Sequence, residues 1–329
     1  MSESSNLPRQ TFTLKISHDK QTWLLSIGFI LLWNSGFIGA EYALPNTRPL
    51  TLLFWRYWLL TGLLFLYLAL CRRLIWPGVK ATLITFLVGI LAHGVWLGCV
   101  FYSLEYGVPA GIIALVVALQ PMATATLSGL VTGERIPLMG WLGLLIGFNG
   151  VVVAVLGRTD LTDMDSAFAF FIPFGSVAAI TVASLIQRRR ELKKTGYRLT
   201  WDVNLFFQSL GVALIVTIPA ILFEGLTVEW TPLFIGSMLW LIVGVSLAAY
   251  ALMWLLITRI NATRVASLFY FGPPVTMVMA WITFGDEILA TDLIAIGIIA
   301  GGVLLAQMKK LPSMGNDSSS APFQRSGKQ

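Results

Sequence analysis

Charge is scarce in this chain. Only 12% of its 329 residues are Asp, Glu, Lys or Arg, about half the roughly 25% usual in soluble domains, so a water-facing surface cannot be built from it. Cysteine is nearly absent: Cys71 and Cys99 both sit in apolar runs, which excludes a disulfide framework and a cysteine zinc site. No Walker loop, G-x-S-x-G or H-E-x-x-H occurs, which leaves ATP-driven pumping, serine hydrolysis and zinc catalysis without their machinery. The chain therefore reads as not an enzyme, with no cofactor and no metal. Deep acidic pairs for intramembrane hydrolysis are missing as well.

What is plentiful is apolar surface. Hydrophobic residues make up 57% of the chain and the mean hydropathy is +0.80. Exposed apolar area on that scale is rare on soluble monomers, so the lipid bilayer is the expected partner. A helix needs about 20 apolar residues to cross the hydrocarbon. Ten stretches meet or approach this: Trp23–Leu44, Leu50–Cys71, Ala81–Leu104, Pro109–Thr132, Leu138–Leu156, Ser166–Gln187, Trp201–Phe223, Leu233–Thr258, Val265–Phe284 and Ala290–Met308. They are long and continuous, without the alternation of a transmembrane barrel. The first run is broken by Trp33, Asn34 and Glu41 and shows no small-residue cleavage site, so it reads as an uncleaved span. The tail after Leu311 is polar and reads as disordered.

The net charge of +6 comes from topology rather than from nucleic-acid binding. With ten spans, 19 of the 22 Lys and Arg residues fall on one side, Arg48 and Arg158 on the other, and Arg56 within a span. This split predicts a membrane protein with both termini cytoplasmic.

A shift of 152 residues lays the second half of the chain on the first. Ala110 then meets Ala262, Pro121 meets Pro273, Gly133 meets Gly285, Gly150 meets Gly302 and Ala154 meets Ala306. Each half holds an odd number of spans, so the halves enter the membrane from opposite sides. The expected fold is an all-α integral membrane protein of ten transmembrane helices in two inverted five-helix repeats. Its parts are an N-terminal tail (1–21), a first repeat (22–157), an inverted second repeat (158–308) and a C-terminal tail (309–329). Inverted repeats are the architecture of carriers that expose a mid-membrane site to each face in turn.

Polar groups at depth are the candidates for that site. His93, Gln120 and Asn34 come from three spans at one level, which predicts a shared cavity. His93 is the histidine within the spans, and its ordinary pKa of about 6.5 makes it a candidate for proton coupling. The alternative is a neutral imidazole bonded to a carbonyl, Tyr102 or Gln120. Trp33, Trp96, Tyr250 and Tyr270 are deep aromatics that could box an apolar side chain, set against ordinary packing. Arg56 lies about 10 Å inside the second span at 1.5 Å per residue. It reads as a substrate-carboxylate site, a gate with Glu41, a snorkelling side chain or a fixed ion pair. Its repeat partner is Gln208. Pro121, Pro273 and Pro274 fall in mid-span, where they kink a helix. Gly143/Gly147 and Gly297/Gly301 form small-residue faces, for packing between the helices or for a homodimer.

The Ala-x10-Pro-x11-Gly-Glu/Asp pattern at both span 4–5 and span 9–10 junctions, with Trp33-Asn34-Ser35-Gly36-Phe37, Phe54-Trp55-Arg56-Tyr57 and Gly133-Glu134-Arg135-Ile136-Pro137, resembles the EamA family of the drug/metabolite transporter superfamily. The likeness covers residues 22–308. It implies a central cavity lined by spans 1–4 and 6–9, with spans 5 and 10 packed outside. It also implies export of a small metabolite, typically an amino acid or related compound, down its gradient or in exchange for protons. Rival expectations are uptake of nucleotide-like metabolites, drug extrusion, or a non-transporting assembly partner. The second half departs from the pattern at Asp286-Glu287, and at Ala295 where the first repeat has Gly143.

Overall fold

The computed structural model describes residues 13–133, 138–158, 168–192, 199–260, 265 and 267–307. The expectations for both tails, for the Glu134–Pro137 turn and for the start of the sixth span at Ser166 lie outside these residues. Among the described residues fourteen α-helices follow in chain order: α1 (Thr13–Ala43), α2 (Pro49–Leu70), α3 (Val79–Gly89), α4 (Trp96–Glu105), α5 (Ala110–Val117), α6 (Gln120–Leu127), α7 (Gly129–Thr132), α8 (Leu138–Leu156), α9 (Ile172–Leu192), α10 (Trp201–Pro219), α11 (Pro232–Leu239), α12 (Tyr250–Arg259), α13 (Gly272–Phe284) and α14 (Ala290–Gln307). Among the described residues there is no strand, only an isolated bridge between Thr47 and Val228.

Several neighbouring helices are continuous in space. Among the described residues seven runs are long and apolar enough to cross a membrane: Lys20–Asn46, Pro49–Leu70, Val79–Glu105, Ala110–Leu127, Leu138–Leu156, Trp201–Glu224 and Pro232–Arg259. Phe269–Phe284 and Ala290–Leu305 are shorter apolar helices. The sixth expected crossing corresponds to α9, which is not among the seven. Ser176, Thr181, Ser184, Gln187 and the Arg188–Arg190 cluster dilute its apolarity. Large side chains such as Phe65, Leu83, Ile218, Phe223, Ile282 and Leu304 are exposed on these helices, the pattern of a bundle whose solvent is lipid.

The prolines locate the breaks. Pro121 sits in the first turn of α6, after α5 has ended at Val117, and Pro273 sits in the first turn of α13, after a 3-10 turn at Phe269–Phe271. Within the continuous runs Ala110–Leu127 and Phe269–Phe284 they mark local breaks in the helix. A first turn tolerates the missing N–H and the fixed φ, while the preceding segment loses a hydrogen-bond donor. Three runs contain π-helical turns: Ile90–Val95 between α3 and α4, Ala220–Glu224 after α10, and Trp240–Ala249 between α11 and α12. Gly133 and Gly285 close α7 and α13 with φ of 75° and 78°, a left-handed cap that glycine adopts without strain.

α8 and α14 pack most extensively on each other. A Cβ on Gly302 would lie 2.6 Å from the Gly143 carbonyl oxygen and 2.9 Å from the Gly147 nitrogen. The small-residue face of α8 is thus used as expected. Its partner is Gly302 with Ala295, not Gly297 and Gly301, which point into open space. The main core runs from Phe37 through the buried residues of α2, α4, α5 and α10 to Val303. A separate small cluster of Phe29, Leu256 and Val265 holds the start of α1 against α12 and the Leu268–Phe269 turn.

Overpacking a tight contact costs about 1–3 kcal/mol. Gly302→Leu is therefore expected to lower the melting temperature of the detergent-purified protein by several degrees, whereas Gly301→Leu leaves it within a degree. Equal effects at both positions would refute the assigned contact face.

Candidate functional site

The π-helical turn at Ile90–Val95 carries His93, and the one at Trp240–Ala249 carries Ser246 and leads into Tyr250. An inserted residue re-aims side chains, and π turns recur at functional positions for that reason. Here they aim into the middle of the bundle. With the Gln208 amide oriented so that Oε1 faces the ring, His93 Nε2–H donates to it at 3.0 Å. The Tyr250 hydroxyl donates to Nδ1 at 3.2 Å. Both ring nitrogens of a neutral imidazole are then occupied, by α10 on one side and α12 on the other. The partners differ from those expected, Tyr102 and Gln120.

Arg56, on α2, is 3% exposed and donates to Ser246 Oγ from Nε at 3.3 Å and from Nη2 at 2.9 Å. Its Cζ lies 5.9 Å from the centre of the Tyr57 ring. Among the described residues it forms no ion pair with Glu41. Glu41 lies two residues from the end of α1, while Arg56 is seven residues into α2, about 7 Å deeper at 1.5 Å per residue. Depth keeps the two apart, so the pair does not form a gate in this structure. Nor does Arg56 reach for the bundle end.

These groups line a cavity of about 40 Å³ bounded by Trp33, Gly36, Phe37, Arg56, Tyr57, Leu60, His93, Trp96, Leu97, Val100, Phe101, Leu205, Val245, Ser246 and Tyr250. A second lobe of about 20 Å³ shares Trp33, Phe37 and Trp96 and adds Asn34, Gln120, Pro121, Phe269 and Gly272. A water molecule needs about 10–15 Å³ measured in this way, so both lobes hold a few waters and a metabolite requires the walls to move. Asn34 is tied by Nδ2 to the Ile30 carbonyl at 2.7 Å and accepts from Thr276 at 3.2 Å.

Six of the eight sequence candidates for substrate contact therefore line the two lobes: Trp33, Asn34, His93, Trp96, Gln120 and Tyr250. Tyr102 and Tyr270 line neither lobe; Tyr102 donates to Glu224 at 3.2 Å. Gln208, expected at a gate, holds His93. The sequence pattern did not single out Tyr57, Ser246 or Glu224. Ser246 lies one residue from the repeat equivalent of His93 at the 152-residue shift, a signal hidden by the π insertion.

The two ends of the bundle differ. At the end holding Asn46, Glu224 accepts from the Leu50 and Thr51 backbone N–H groups at 3.1 and 2.7 Å and from Thr51 Oγ1 at 2.9 Å. A carboxylate thus caps the start of α2, where the helix dipole favours it. Beside it, Thr47 Oγ1 donates to the Thr227 carbonyl at 3.1 Å and Glu229 N–H to the Asn46 carbonyl at 2.9 Å. At the opposite end Arg73 pairs with the buried Asp202 at 3.1 Å. There α12 packs mainly on α1 through the separate apolar cluster, rather than into the main core.

Interhelical hydrogen bonds within a bilayer average about 0.6 kcal/mol and reach about 1.7. Gln208→Leu and Tyr250→Phe should each lower thermal stability by about that amount, and the double variant by less than their sum, since both act on one imidazole. Thermal unfolding of the four proteins in detergent checks this. Strict additivity would separate the two contacts.

Comparison with known proteins agrees with this architecture. The profile of the EamA-like transporter family matches residues 21–156. A Bacillus subtilis protein named uncharacterized transporter YvbV is 26% identical over 293 residues, covering 88% of this chain and 92% of that protein. The Escherichia coli K12 inner membrane transporter YedA is 24% identical, covering 85% and 88%. A Salmonella typhimurium protein named as a probable amino-acid metabolite efflux pump is 22% identical, covering 85% and 93%. A solved crystal structure at 20% identity superposes with a TM-score of 0.61 over 88% of this chain and 97% of the other, a likeness of fold alone. The chain is a membrane protein, and its relatives are transporters and not enzymes. Over residues 21–156 the chain is similar to the EamA-like transporter family.

Proposed function

We propose that the protein exports a small metabolite, an amino acid or related compound, across the bacterial inner membrane by alternating access. In this reading ten helices form two inverted repeats, 22–157 and 158–308, with both termini cytoplasmic, and the Asn46 end faces outward. The observation that carries the proposal is a pair of repeat-related bonds across the cavity. Arg56 and Gln208 are equivalent at the 152-residue shift, and each reaches a π-helical turn of the other half, at Ser246 and His93. The matched prolines, glycine caps and π turns support the same symmetry.

The two ends support a direction of opening. The Asn46 end is latched through Glu224 and Thr47, whereas at the other end α12 stands off the main core. A carrier in this state receives substrate from the cytoplasm, and separating Glu224 from Thr51 opens the outer path. The named Salmonella relative supports amino-acid metabolites as the cargo.

Three measurements test this. Reporter fusions at Arg135 and Glu287 should lie on opposite faces; the same face for both would end the inverted-repeat reading. Metabolite profiling of the medium, overproduced against deleted, should show an amino-acid-related compound rising with the protein, and flux of that compound in proteoliposomes should exceed protein-free controls. Because neutral partners hold both nitrogens of His93, His93→Gln should keep the wild-type pH profile of flux even if its rate falls. A flattened profile would instead assign proton coupling to this residue.

A further inference from the structure

The cavity wall carries one formal charge, the guanidinium of Arg56, and nothing among the described residues neutralises it. The ion pairs described are Arg48–Glu105, Arg73–Asp202 and Arg158–Asp292. Glu224 is committed to the start of α2 and to Tyr102. The titratable groups around Arg56 are the phenols of Tyr57 and Tyr250 and the imidazole of His93, none of them an anion in its ordinary state at neutral pH. Its side-chain hydrogen bonds go to a single hydroxyl, Ser246, although a guanidinium offers five N–H donors. A cation withdrawn from water without a counter-charge is among the costliest arrangements a protein can hold.

A second donor on the same wall is in the same condition. Trp96 Nε1 is buried and has no acceptor, and its residue borders both lobes. None of the residues lining either lobe is acidic. The wall therefore offers positive charge and N–H groups and lacks a negative group to receive an ammonium.

We infer that this pocket selects a small organic monoanion, a carboxylic acid whose amine is absent or capped, with its carboxylate held by Arg56 and the Trp96 N–H. The inference rests on the transport reading above and narrows it. A carboxylate matches the planar fork of arginine with two parallel hydrogen bonds and brings the occupied site to neutrality, which lipid favours. A zwitterionic amino acid delivers the same carboxylate but leaves a net positive charge and an ammonium without a carboxylate partner. The body of the ligand lies against Trp33, Tyr57 and Phe101, and the amide of a capped amine faces Gln120 in the second lobe.

The test uses the purified full chain with N-acetyl-L-leucine (anion), L-leucine (zwitterion) and N-acetyl-L-leucinamide (neutral) at pH 7. Binding is read by thermal shift, and uptake into proteoliposomes by radiolabel. The anion is expected to bind at least tenfold tighter than either comparator. Arg56→Gln should remove that preference, Arg56→Lys should keep part of it, and Trp96→Phe should weaken the anion several-fold while retaining the ring. Because Arg56→Gln could misfold, the Trp96→Phe result and the ligand ranking on the wild type each stand by themselves. Leucine or the neutral amide binding as tightly as the anion would overturn the inference and leave the transport reading intact. So would an anion preference that survives in a folded Arg56→Gln variant. If no probe binds, and no metabolite from an amino-acid, nucleoside and drug panel moves above protein-free liposomes, both fall together.

Discussion

Hydrocarbon offers a buried polar group nothing to bond to, and most of this structure follows from that constraint. Within single helices the remedy is local. Ser26, Asn34, Ser103 and Thr217 each return a hydrogen bond to the carbonyl four residues earlier, so they can sit on a helix without a tertiary partner. Where the bond instead crosses between helices, it repeatedly joins the first half of the chain to the second: Thr61 to Ser209, Trp58 to Thr217, Ser35 to Trp240, Asn34 to Thr276, His93 to Gln208 and Arg56 to Ser246. Polar side chains in this bundle therefore mark the seam between the halves, and the cavity lies on that seam.

The seam is held differently at its two ends. Glu224 gains backbone N–H bonds at the start of α2, in a position where the helix dipole assists. The separate cluster around Phe29, Leu256 and Val265 has no equivalent clamp of that kind described within it. At that end Arg73 pairs with the buried Asp202 and Arg259 donates to Gln21 at 3.3 Å, so the two ends are joined by different chemistry.

Much of the site was legible before any coordinates. Depth counting along the spans brought Asn34, His93 and Gln120 to one level, because a helix rises a fixed distance per residue and deep polar groups in lipid are rare enough to be informative; Trp33, Trp96 and Tyr250 were candidates only as deep aromatics. Tyr102 went astray because an aromatic hydroxyl one turn from the end of α4 can equally serve a neighbouring carboxylate, and Glu224 supplied one. The Glu41–Arg56 pairing failed for a related reason: sign complementarity says nothing about relative depth across two helices joined by a turn. Ser246 and the break before Pro121 were hidden because π insertions and 3-10 turns change the register of a helix without changing its composition.

The sequence by itself determined the solvent and the helical class, because hydropathy and periodicity act along the chain and need no knowledge of contacts. Tertiary structure alone decided that Gly302 and not Gly301 meets α8, that His93 is held by Gln208 and Tyr250, and that Arg56 faces the cavity without a counter-charge. These depend on how helices rotate and cross. Rotation is set by the sum of many small packing contacts between segments far apart in the chain, and no local pattern records that sum.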